Sequence, residues 1–119
     1  MRIKINNKEK KCLFTCKHII SDEDINNNKI INLYFDENNK EEKRKIKLDK
    51  NQRLIKTFNE DVTLIEIIKD DNISEDKYLT PDLNYEYNNY KDKNLYLAGH
   101  LRNYNERYIS TGRIIKISV

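Results

Sequence analysis

The chain has 119 residues, of which 36% are charged and 37% hydrophobic, so it has room for one domain with a modest core. Lys plus Arg number 23 and Asp plus Glu 20, and the net charge is only +3. The two signs are interspersed, which describes a solvated surface and argues against a nucleic-acid footprint.

Only two glycines, Gly99 and Gly112, and one proline, Pro81, punctuate the chain. Turns therefore fall to Asn and Asp, which tolerate left-handed backbone better than other non-glycine residues. From the N-terminus, RIKI (2–5) alternates polar and apolar residues and reads as a strand. KCLFTC (11–16) is apolar on both faces and is expected to be buried. SDEDI (21–25) reads as a short helical turn capped by Ser21. IINLYFD (30–36) and KRKIKLD (43–49) flank DENNKEE and read as a hairpin. RLIKTF (53–58) and VTLIEII (62–68) are further strands. Residues 69–93 form the one long irregular connection, with a helical turn expected around 82–89. NLYLAG (94–99) and YISTGRIIKIS (108–118) complete the series.

No run of about 18 apolar residues exists to span a membrane as a helix. The start, MRIKINNKEKK, is too polar for a signal peptide, which points to the cytoplasm. Cys12 and Cys16 lie roughly 13 Å apart on an extended strand, beyond disulfide reach. Two free thiols suit a reducing compartment.

LFTCKHII (13–20) sets His18 at the end of a buried strand. Asp61 stands directly before the apolar run VTLIEII, within NEDVTLIEI (59–67). A partly desolvated carboxylate there needs a donor, and imidazole Nδ1–H is a natural one. In a catalytic triad this contact fixes the tautomer and stabilises the imidazolium formed when Nε2 takes the nucleophile's proton.

These segments resemble the trypsin-like serine peptidases. LFTCKHII is similar to the family's histidine segment and NEDVTLIEI to its aspartate segment, in the family's order. NLYLAGHLRNYNERYISTGRIIKI (94–117) is similar to the strand, loop and strand that open the second half of such enzymes. The resemblance implies an all-β protein with an antiparallel barrel of the trypsin-like type. Residues 1–93 would hold the first of two six-stranded barrels and the connection, and 94–119 the opening hairpin of the second. It implies that His18 is the general base and acid and Asp61 its orienting carboxylate. Substrates would be peptides or proteins, and a C-terminal barrel would be the partner.

The family's Gly-x-Ser-Gly nucleophile segment is missing. Ser21, Ser74, Ser110 and Ser118 all lack that context. The expectation is the N-terminal portion of a serine endopeptidase, inactive by itself, or an inactive interaction module built on the same fold. A metal set of Cys12, Cys16, His18 and His100 is disfavoured, because zinc knuckles sit on turns and not along an apolar strand. No metal or cofactor is expected. Cys16 is a poor nucleophile beside His18, since their Cα atoms would be some 6–7 Å apart on a strand with no third group evident. His100 reads as a structural loop residue. An RNA-binding barrel using KEEKRKIKLDK (40–50) and the eight tyrosines is disfavoured, because the lysines are mixed with acids.

Overall fold

The computed structural model describes residues 1–35, 42–81, 90–100, 107–113 and 115. The protein is all-β with a few short helical turns. The chain divides into two compact units, Met1–Pro81 and Asp82–Val119.

In the first unit, β1 (Arg2–Ile5), β2 (Lys8–Cys16), β5 (Ile55–Phe58) and β6 (Val62–Ile67) form a four-stranded antiparallel sheet in the order β1-β2-β6-β5. β3 (Ile30–Tyr34) and β4 (Lys43–Lys47) pair separately as an antiparallel hairpin. Helix α1 (Asp22–Asn26) follows β2. Short 3₁₀ turns occupy Lys69–Asp71 and Glu75–Lys77. Among the described residues of the second unit, β7 (Asn94–His100) pairs antiparallel with β8 (Arg107–Arg113). Among the described residues no closed barrel forms, and no helix is long and apolar enough to cross a membrane.

Asn and Asp make the turns for the reason that the glycine shortage requires. Asn6, Asn7, Asn28, Asp61, Asn72 and Asp92 all adopt positive φ. Asn6 and Asn7, at 52° and 64°, form the two-residue loop that joins Ile5 to Lys8, which face each other across the β1–β2 ladder. Two consecutive left-handed residues match the twist of the strands they connect. Ser21 caps α1 as expected. Its hydroxyl accepts from the Asp24 N–H, and the Asp24 carboxylate accepts from the Ser21 N–H at 3.1 Å.

The core of the first unit is aliphatic: Ile20, Ile25, Ile46, Leu48, Ile55 and Ile65, with Leu13, Ile31, Leu33, Ile67 and Ile73 packed against it. β4 shows the strand period plainly. Ile46 is fully buried, while Lys43, Lys45 and Lys47 project outward. β2 departs from expectation. Leu13 packs against the core and Cys12, on the opposite face, is buried, but Phe14, on the same face as Cys12, is 41% exposed, so that face is covered at Cys12 and open at Phe14. The helical turn expected at 82–89 and most of the DENNKEE turn lie outside the described residues.

Two buried polar contacts brace the sheet. Thr63, fully buried on β6, donates its hydroxyl to the Ile20 carbonyl at 2.9 Å. Arg53 grips Asp71 with two guanidinium nitrogens at 2.6 and 2.9 Å. Arg53 also donates to the Glu66 carbonyl, and Asp71 accepts from the Ile68 N–H.

Candidate functional site

β2 and β6 run antiparallel, with Cys16 opposite Val62 and Thr15 opposite Thr63. That register brings the end of β2 beside the start of β6. Asp61 immediately precedes β6, and His18 lies just beyond the end of β2.

The chain turns sharply after Cys16. The Ile19 and Ile20 N–H groups both donate to the Cys16 carbonyl, at 3.0 and 3.1 Å. Ile20 then plunges into the core, and Thr63 holds its carbonyl. His18 therefore rides on a turn anchored at both ends. On the other side, Asn59, Glu60 and Asp61 connect Phe58 to Val62, which are paired across β5 and β6. Asp61 adopts φ 60°, the left-handed residue that commonly ends a three-residue hairpin loop. Aspartate bears that conformation better than most side chains. The Lys17 N–H donates to the Asp61 carbonyl at 3.1 Å and ties the two loops together.

One carboxylate then engages one histidine twice. Asp61 Oδ1 accepts the His18 backbone N–H at 2.9 Å, and Asp61 Oδ2 lies 2.5 Å from His18 Nδ1. The bond to the imidazole, followed by the bond from the His18 backbone, holds the Asp61 carboxyl below the usual carboxylate range. An ionised Asp61 can only accept, so Nδ1 carries the proton and Nε2 of the neutral ring offers a lone pair. The His18 and Asp61 side chains are 67% and 51% exposed. The pair forms an oriented base on an open surface.

Cys16 is the third member. Its Sγ, a ring nitrogen of His18 and a carboxylate oxygen of Asp61 all lie within 4.8 Å of one another. Sequence reasoning set Cys16 aside because an extended strand separates residues two apart and no third group was evident. The strand ends at Cys16, so strand spacing does not apply, and Asp61 is the third group.

Cys12 stays apart. It is a free thiol, 1% exposed, and burial pushes its ionisation upward, with Glu66 adding to the effect. His100 closes β7, opposite Arg107, rather than lying in a loop, and its side chain lies outside the described residues. Ser21 is engaged as a helix cap, Ser74 donates to Asp76, and Ser110 lies within β8. Ser118 falls outside the described residues.

The Arg53–Asp71 pair escaped sequence reasoning. Arg53 opens the segment RLIKTF and Asp71 follows Lys69 and Asp70, and no local spacing links the two.

Comparison with known proteins returned no matching family model, no matching curated relative and no matching solved structure.

Proposed function

We propose that this chain carries the base half of a trypsin-like serine endopeptidase. His18 is the general base and acid, Asp61 orients it, and the serine nucleophile lies outside residues 1–119. The observation that carries the reading is the double grip of the Asp61 carboxylate on His18, through Oδ1 to the backbone N–H and Oδ2 to Nδ1. It leaves Nε2 as the proton acceptor, as acyl transfer by a serine requires.

The finer architecture belongs to the same proposal. The four-stranded sheet and the β3–β4 hairpin supply six strands, the complement of the family's first barrel. The β7–β8 pair exposes Leu95, Tyr96, Leu97 and Ile109. A lone two-stranded ribbon is marginal in water, so further strands are expected to pack on it as the second barrel. A half-exposed carboxylate competes with water for its imidazole, and exclusion of water strengthens the contact.

The test uses the native gene product. A fluorophosphonate reagent, which labels an activated serine, should modify it, and peptides should be cleaved. Both should vanish in His18→Ala, and Asp61→Asn should lower turnover by about 10⁴. The 119-residue chain alone should show neither labelling nor cleavage. Failure of the native product to label or cleave would reduce the reading to an inactive module on a β scaffold.

A further inference from the structure

The Cys16, His18 and Asp61 cluster has a use that needs no serine. One sulfur, one imidazole nitrogen and one carboxylate oxygen converge within 4.8 Å of one another. Zinc bonds of about 2.0–2.3 Å at tetrahedral angles put neighbouring ligand atoms roughly 3.3–3.8 Å apart. Small side-chain rotations reach that spacing, the 2.5 Å contact between His18 Nδ1 and Asp61 Oδ2 opening to admit the ion.

The donor types also match. A thiolate with an imidazole and a carboxylate suits a borderline-soft divalent ion and not calcium or magnesium, which take oxygen ligands. The three donors come from the end of β2, the turn after it and the loop before β6. Main-chain bonds tie these segments together: Lys17 N–H to the Asp61 carbonyl, and Ile19 and Ile20 N–H to the Cys16 carbonyl. The frame is therefore built before any ion arrives. His18 and Asp61 are exposed and Cys16 is half-buried, so an ion can enter and a fourth position faces solvent.

We propose that Cys16, His18 and Asp61 form a three-ligand site for Zn²⁺, open to water at the fourth position. Among the described residues this is the one cluster with three such donors. Binding releases the thiol proton of Cys16 to solvent, and the imidazole enters as the neutral ring. The inference rests on the cluster alone and stands without the peptidase reading. Where both hold, zinc and proton transfer compete for His18, and Zn²⁺ is an inhibitor.

The test is titration of the full 119-residue chain, kept reduced with a phosphine, using Co²⁺ as the probe. A near-ultraviolet thiolate-to-cobalt band should grow to about one Co²⁺ per chain, and Zn²⁺ should displace it. Cys16→Ser should abolish the band. His18→Ala and Asp61→Asn should each weaken Co²⁺ binding at least about tenfold. Cys12→Ala should leave band and affinity unchanged. Cys12 is in the core and that variant can misfold, so alkylation of the wild-type chain mapped by mass spectrometry is the second readout. Zn²⁺ should slow modification of Cys16. The inference is overturned if no thiolate band forms, if the band survives Cys16→Ser, or if Zn²⁺ leaves Cys16 alkylation unchanged. None of these readouts involves peptide cleavage, so they are separable from the outcome of serine labelling.

Discussion

Asp61 holds His18 by both backbone and ring, its Oδ1 accepting the amide N–H at 2.9 Å and its Oδ2 standing 2.5 Å from Nδ1. The two bonds restrict each other. Rotating the carboxylate to improve one spoils the second, so the imidazole plane is set by the hairpin loop that carries Asp61.

That loop depends on a left-handed residue, and the backbone contribution can be isolated. Asp61→Gly and Asp61→Ala both remove the carboxylate, but only alanine keeps a Cβ at φ 60°. Asp61→Ala should be less stable than Asp61→Gly by about 1 kcal/mol. Urea denaturation checks this; equal stability would mean that the loop relaxes out of the left-handed region.

The β1–β2 loop makes a parallel case without functional residues. Asn6 and Asn7 both sit at positive φ between paired Ile5 and Lys8. Asn7→Gly relieves the remaining Cβ strain in the arrangement that two-residue hairpins favour. It should stabilise the protein by about 0.5 kcal/mol, read as a higher urea midpoint.

The Arg53–Asp71 pair is nearly sealed from water, with side chains 3% and 5% exposed. Asp71→Ala strands the guanidinium in the interior and orphans the Ile68 N–H, and should cost about 3–5 kcal/mol. Replacing both partners, Arg53→Met with Asp71→Leu, removes the stranded charge. Chemical denaturation should find the double variant more stable than Asp71→Ala alone.

Acid should weaken the sheet partly through Glu66. Its carboxyl accepts from Lys10 at 2.8 Å and from the Leu54 N–H at 2.9 Å, which hold its ionisation below the ordinary 4.5. A folded value below the unfolded one means that this stabilisation is full above the ordinary value. It is lost as pH falls through the folded value. Glu66→Gln should therefore flatten the fall in urea midpoint between about pH 7 and about pH 3. An unchanged slope would assign the acid sensitivity elsewhere.

Much of this was legible in the sequence where a local rule applied. The glycine shortage pointed to left-handed asparagine and aspartate turns, and six such residues occur among the described residues. Alternation located β1, the two segments flanking DENNKEE were read as the β3–β4 hairpin, and Ser21 announced α1. His18 and Asp61 were paired from their places at two strand ends, and the β2–β6 register brings them together.

What escaped depends on which strands become neighbours, and alternation does not encode that. KCLFTC does not encode how far along the strand its faces are covered, so Phe14 is exposed on the same face that buries Cys12. Barrel closure is a matter of ladders between strands distant in sequence. Arg53 and Asp71 look like surface charges until β5, β6 and the 3₁₀ turn fold over them. Cys16 was dismissed on strand geometry that stops at Cys16 itself.

The central claim is that Asp61 fixes the tautomer of His18, and nitrogen NMR of the imidazole tests it most directly. Under alkaline conditions, where an imidazole is neutral, the wild-type ring should carry its proton on Nδ1. Asp61→Asn should shift the proton toward Nε2. The same tautomer population in both proteins would contradict the account.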